Sequence, residues 1–408
     1  MKLVEQHTIR KNHKYYDILD NEAYKSKNLY NASLYAIRQY FFQNNTYLPY
    51  PKLQHIFQEE KQQDYYSLPT KVAQQTMRMV DKNFKSFFNS NKEFKNNPSK
   101  FKGKPKLPKY LNVNNGRYLL IYTSQAISKK LLEKEGQIKL SGINVTIPTQ
   151  VKYSQLQQVR VVNRDNKYII EVIYEDGNEP EFVDNDNYAA IDLGVTNFAA
   201  ITTNIHGIQP FIIDGRNIKS INRYYNKSLS ECKAILDTRN KGQKTSNKIR
   251  RLTDKRNNKI KDYLHKASRI IVNQLVSMEI GTVIVGHNKG WKQDTNIGKV
   301  NNQNFVQIPH STFIKMLRYK CQQKGIQLKE VDESYTSKCS FLDNEEIRRH
   351  EKYIGKRITR GLFRTKSGVT MNADINGSYN IMRKCIPNAF ANGVEGVLVH
   401  PRIIKILN

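Results

Sequence analysis

A chain of 408 residues is long enough for two or three domains and a sizeable core. It carries 67 Lys and Arg against 36 Asp and Glu, a formal charge of +31, which makes a polyanionic partner the first expectation. With 38% hydrophobic and 10% aromatic residues the charge belongs to folded structure rather than to a disordered tail. The four cysteines (Cys232, Cys321, Cys339, Cys385) have no close pair, which argues against a disulfide framework and an all-cysteine zinc site. No apolar run approaches the roughly 18–20 residues that span a bilayer. Met1 to His7 lack the apolar core of a signal peptide, so a cytoplasmic protein with no membrane partner is expected.

Residues 1–20 are mixed and short. From Asn21 to Asn96 the period is helical, with no Gly and with Pro only at 49, 51 and 69. Tyr24, Leu29, Ala32, Leu34, Ala36, Ile37, Tyr40 and Phe41 make one apolar stripe, and Val72, Ala73, Met77, Val80, Phe84 and Phe87 a second. Lys100 to Tyr110 is a basic linker punctuated by Pro105 and Pro108. Arg117–Thr123, Gln137–Ile147, Val159–Val162 and Lys167–Tyr174 read as the strands of a small β module. From Tyr188 strands and helices alternate. Three strands come first: Ala189–Val195, Phe198–Thr203 and Gln209–Gly215. A helical stretch from Asn217 to Ile280 follows, broken near Lys241. A fourth strand covers Thr282–Gly286, a helix capped by Ser311 runs to Gly325, a fifth strand covers Ile326–Asp332, and a last helix begins near Asp374. Three antiparallel-type strands followed by βαβ units describe a ribonuclease H-like fold.

Asp192 lies within an apolar strand, where a lone carboxylate is costly to bury. Asp374 heads the last helix, where the dipole tolerates an acid. Two carboxylates meeting at the strand ends would suit Mg²⁺, which takes carboxylate oxygens, water and substrate phosphate.

Ala190-Ile-Asp-Leu-Gly-Val-Thr-Asn-Phe-Ala, Ser334-Tyr-Thr-Ser-Lys and Asn372-Ala-Asp-Ile-Asn-Gly-Ser-Tyr-Asn-Ile together resemble motifs of the transposon-encoded TnpB (OrfB) family. The resemblance implies an RNA-guided DNA endonuclease with a multidomain architecture. Its parts would be a first wedge segment at 1–20, a helical recognition domain at 21–100, a β-barrel wedge domain at 101–183 and a RuvC-like nuclease domain at 184–408. It also implies a guide RNA from the transposon end, a double-stranded DNA target beside a short adjacent motif, nucleoid association, and Mg²⁺ or Mn²⁺ as cofactor. Asp192 becomes the first catalytic metal-holding carboxylate and Asp374 the third.

Two departures from the family pattern follow. Common TnpB sequences end the fourth strand in a Glu, whereas this one reads Val285-Gly286-His287-Asn288. The fifth strand ends Asp332-Glu333, and neighbouring strands lie about 4.8 Å apart, within the reach of a Glu side chain. Glu333 is therefore expected as the relocated catalytic and metal-holding acid, ahead of Asp332. His287 and Asn288 are a polar strand end or a phosphate contact. The insert at 339–371 resembles a zinc ribbon lacking its ligands, since only Cys339 remains there, so no zinc is expected. It is read as a substrate-loading hairpin bearing Lys352, Lys356, Arg357, Arg360 and Arg364.

Residues 217–269 hold sixteen Lys or Arg against four acids (Glu231, Asp237, Asp254, Asp262), an imbalance that favours phosphate contacts. The expected nucleic-acid contacts are Lys248, Arg250, Arg251, Lys255 and Arg256 there, with Lys338, Lys356, Arg357 and Arg360 around the insert. Trp291, Lys292, Gln293 and the run Asn301 to Phe305 form a polar loop that packs on itself or touches a single strand. A nuclease-dead guided repressor is the alternative reading, and a DNA transposase a third.

Overall fold

The computed structural model describes residues 1–164, 166–177, 180–239, 242–288, 306–391, 393–394 and 396–406. The loop of Trp291 and residues 301–305 lies outside them. Two compact units divide the chain, Met1–Gly177 and Asn178–Asn408.

In the first unit, β1 (Lys2–Arg10) leads into α1 (Tyr16–Asn44), α2 (Tyr50–Glu59), the one-turn α3 (Gln63–Tyr66) and α4 (Thr70–Asn96). Then come β2 (Leu120–Thr123), α5 (Lys129–Glu135), the hairpin of β3 (Gln137–Lys139) and β4 (Thr146–Pro148), β5 (Leu156–Arg164) and β6 (Lys167–Glu175). The helical stripes are buried as their period implies: Leu19, Ala23, Leu34 and Ile37 of α1 pack with Val72, Ala73, Met77 and Phe84 of α4. Helices and strands share a single core. The antiparallel sheet has the order β1-β6-β5-β2, with β1 and β2 as its edges. The stretch expected as one strand, Gln137–Ile147, is instead a hairpin, because Gly142 takes φ +78° and turns the chain. β1 pairs with β6 along its whole length, from Lys2 opposite Glu175 to Arg10 opposite Lys167.

The second unit is built on β7 (Tyr188–Leu193), β8 (Asn197–Thr203), β9 (Phe211–Asp214), α6 (Arg216–Arg239), α7 (Asn247–Ser277), β10 (Thr282–Gly286), α8 (His310–Gln322) and β11 (Gln327–Val331). It closes with β12 (Lys356–Thr359), β13 (Leu362–Arg364), β14 (Thr370–Asn372), α9 (Ala373–Cys385) and β15 (Arg402–Ile404). The main sheet has the order β11-β10-β7-β8-β9-β15. β7, β8 and β9 are antiparallel, β10 runs parallel to β7 and β11 parallel to β10. That is the ribonuclease H-like arrangement, extended by β15, which pairs parallel with β9. Ile191 and Leu193 of β7 face a core with α7 and α8, while Ala190 packs with Ile381 and Met382 of α9 on the other face. Ser246 caps α7 through its hydroxyl. α8 starts at His310 behind Pro309 with no side-chain cap, so Ser311 does not cap it. Gly325 (φ +70°) ends the turn that follows.

Candidate active site

Strand alternation puts Asp192 on the same side of β7 as Ala190, facing α9. The helix passes close over it: a Cβ on Gly377 would stand 2.7 Å from Asp192 Oδ2. At the head of α9 the Asn372 side chain accepts the backbone N–H groups of Asp374 (3.0 Å) and Ile375 (3.2 Å), which fixes the first turn. Asp374 then accepts from Asn197 Nδ2 at 2.6 Å through Oδ2 and from Arg357 Nη2 at 3.2 Å through Oδ1.

Glu333 lies two residues past the end of β11, and its carboxylate reaches over the end of β10. A Cβ on Gly286 would lie 3.1 Å from Glu333 Oε2 and 2.5 Å from Ile381 Cδ1. The space above Gly286 is therefore already filled by the side chains of Ile381 and Glu333. Its backbone N–H donates to Asn288 Oδ1 at 2.9 Å, and Thr336 donates to its carbonyl through its hydroxyl at 2.8 Å. Glu333 Oε2 is buried and, among the described residues, has no hydrogen-bond partner.

Burial, then the neighbouring charges of Glu333 and Asp374, hold the Asp192 carboxyl well above the usual carboxylate range, with Arg357 opposing them. Burial, then Asp332, pushes Glu333 up to about 7 against the pull of Lys384. Glu333 and Asp374 thus both act on Asp192 at one end of the sheet. Among the described residues no group of three or more His, Cys, Asp or Glu side chains is placed to hold a metal ion as it stands. An all-oxygen donor set with one orphaned buried oxygen nonetheless fits a hard divalent cation. Asp332 is exposed and held below its ordinary range by Ser334 and Lys384, which bond to it. It is tied into the turn rather than turned toward Asp192. His287 pairs through Nδ1 with Glu330 at 2.9 Å.

The insert forms the three-stranded antiparallel sheet β12-β13-β14. Cys339 is buried, with its thiol directed at the carbonyls of Glu346 (3.4 Å) and Arg348 (3.7 Å). The knuckle is laced by carboxylates: Glu345 accepts the N–H groups of Ser340 (2.7 Å) and Ile354 (2.9 Å), and Asp343 accepts from Ser340 Oγ (2.6 Å) and Lys366 N (2.9 Å). Phe341, Phe363 and Met371 bury it against Tyr379. Arg357, Arg360, Thr196, Asn197 and Asp374 line a cleft of about 360 Å³.

The expected nucleic-acid residues divide. Lys248, Arg251, Lys255, Lys338, Lys356, Arg357 and Arg360 are exposed. Arg250 is half-buried, and Arg256 is spent inside the unit, donating to Asn222 Oδ1 (2.8 Å), the Gln307 carbonyl (2.7 Å) and Asn257 Oδ1 (3.0 Å). Reading the sequence alone missed Asn197, Gly377 and Lys384, and it gave Asn288 no role in holding Glu333. Only Gly377 left a trace there, because a Gly inside a helix costs about 1 kcal/mol relative to Ala and calls for a packing reason.

Residues 171–292 match the family model described as a probable transposase, OrfB of IS605, and residues 310–381 match the Cas12f1-like TNB domain. The chain is also similar to the TnpB-like protein ORF457 of Acidianus two-tailed virus, 24% identical over 230 residues, 53% of this chain and 47% of that protein. Over these segments the chain is similar to the TnpB family. The match spans about half the length of that curated relative. Among solved structures, the Cas12f1–sgRNA–target DNA complex aligns with 93% of this chain and 98% of that one, at 14% identity and a TM-score of 0.37. The mini RNA-guided endonuclease Cas-phi3 aligns with 94% and 92%, at 11% identity and a TM-score of 0.45. The strand order above, rather than these superpositions, defines the fold of the second unit.

Proposed function

We propose that this chain is an RNA-guided DNA endonuclease that binds a transposon-derived guide RNA and cuts target DNA beside a short adjacent motif by metal-dependent phosphodiester hydrolysis. The observation that carries the reading is the approach of Asp192, Glu333 and Asp374 at one end of a ribonuclease H-like sheet, with Glu333 Oε2 left orphaned. Those three side chains would hold Mg²⁺ or Mn²⁺, which when bound supplies Lewis-acid charge and an activated water. Asn197 orients Asp374 from β8, and Gly377 leaves room for the Asp192 carboxylate. Arg357 and Arg360 place positive charge in the cleft beside Asp374, where they attract a DNA phosphate. Exposed Lys248, Arg251 and Lys255 along α7 suit a sugar–phosphate backbone.

Guided binding without cleavage is the second reading, and Gly286 favours it, since the usual strand-end acid is missing there. One experiment separates the two. The complex, purified with RNA from its own locus, is given a plasmid carrying the guide match beside randomised bases, with Mg²⁺ present. Cutting that is lost in Asp192→Ala and in Glu333→Ala, with target binding kept, supports the nuclease and reveals the adjacent motif. Specific binding without cutting moves the chain to the repressor reading. Cutting that persists in Glu333→Ala removes Glu333 from the centre.

A further inference from the structure

The Glu333 side chain must cross from the end of one strand to cover the end of the next, so its backbone has to be held. Two groups outside the acidic set do this. Asn288, just past β10, accepts the Glu333 N–H through Oδ1 at 2.9 Å. Lys384, in the last turn of α9, donates through Nζ to Asp332 Oδ1 (3.0 Å), the Ser334 carbonyl (3.1 Å) and Ser334 Oγ (3.0 Å), bracketing Glu333 on both sides. Asn288 stands two residues beyond Gly286, on the strand that lacks the usual acid. The exit of β10 therefore supports a carboxylate supplied by the turn after β11. α9 adds a second tie, since Asp374 lies in its first turn and Lys384 in its last.

We propose that Asn288 is a positioning residue for the Glu333 carboxylate, acting with Lys384 to set how firmly the centre holds its cation. This rests on the reading of Glu333 as a metal-holding residue. A group acting through a ligand in this way changes metal affinity by ~10–100-fold when removed.

The test uses the full chain with its locus RNA, titrated with Mn²⁺ and followed by electron paramagnetic resonance, with thermal unfolding and plasmid cleavage measured alongside. Asn288→Ala is expected to weaken Mn²⁺ binding by ~10-fold, with an unchanged unfolding midpoint and cleavage that recovers as Mn²⁺ is raised. Asn288→Asp keeps an acceptor in place and is expected to restore binding. The double variant Asn288→Asp with Glu333→Gln is expected not to bind, which shows that the restored affinity comes from Glu333 and not from the added charge. Lys384→Met is expected to weaken binding in the same direction. Equal weakening by Asn288→Ala and Asn288→Asp, or wild-type affinity in Asn288→Ala, would overturn the proposal while leaving Glu333 as a ligand. Wild-type affinity in Glu333→Gln alone would instead overturn the reading beneath it.

Discussion

Gly377→Ala is the sharpest perturbation of the proposed centre. The added methyl would stand 2.7 Å from Asp192 Oδ2 and 3.5 Å from its Cγ, whereas ordinary contact begins at 3.4 Å. The carboxylate or the helix must therefore give by 3.4 − 2.7 = 0.7 Å. Intrinsic helix preference runs the other way, favouring Ala over Gly by about 1 kcal/mol in a helix interior. α9 is anchored by Ile375, Tyr379, Ile381 and Met382, all buried, so Asp192 rather than the helix is expected to move. Displacing a reacting group by about 1 Å costs ~100-fold in rate. The expected outcome is a single-turnover cleavage rate lowered ~100-fold, with RNA binding and the unfolding midpoint close to those of the unaltered chain. Cleavage within about threefold of the unaltered chain, at unchanged stability, would refute the placement of Asp192 beneath α9 as a catalytic group.

Arg251 and Arg256 differ in burial despite their similar sequence setting. Arg251→Ala is expected to reduce the salt slope of nucleic-acid binding by about 1 without changing stability. Arg256→Ala should leave that slope alone and lower the urea midpoint, at a cost of about 1–3 kcal/mol from the partners left unsatisfied; the opposite pattern would refute both placements. Lys320, 3% exposed on α8, donates to the His265 carbonyl (2.8 Å) and Ser268 Oγ (2.6 Å). Burial, then Arg269, pushes its ammonium down to about 8 from 10.5. Over that window the unfolded chain binds more protons than the folded one, so stability rises as pH goes from about 8 to 10.5. Lys320→Met should abolish that rise and raise the urea midpoint at pH 7; parallel stability curves for the two chains would refute the assignment.

The fold of the second unit was legible because each of its elements has its own local period. Apolar β7 and β10, the stripe of α8 and the Gly325 stop can all be read without knowing what they touch. β15 was not legible: three residues near the end of the chain gain their strand only by lying beside β9. The same holds for β1, whose mixed residues are ordered by pairing with β6 more than 150 residues away. The hairpin of β3 and β4 was read as one strand because its turn depends on the positive φ of Gly142.

The sequence by itself pointed to the kind of chemistry proposed. Asp192 and Asp374 stand out because an acid in an apolar strand and an acid heading a helix each need an explanation, and the charge of +31 points to a polyanion. Tertiary structure separates the two acids after β11 and shows which of the expected cations are exposed. Glu333 and Asp332 are adjacent in the sequence, where only the longer reach of Glu favours Glu333. In the fold the turn ties Asp332 to Lys384, while the Glu333 carboxylate lies beside Ile381 over Gly286. Arg256 looks like its basic neighbours until α6 folds against α7 and takes up its guanidinium. Side-chain type is written locally, whereas proximity comes from long-range packing, and a catalytic centre needs both.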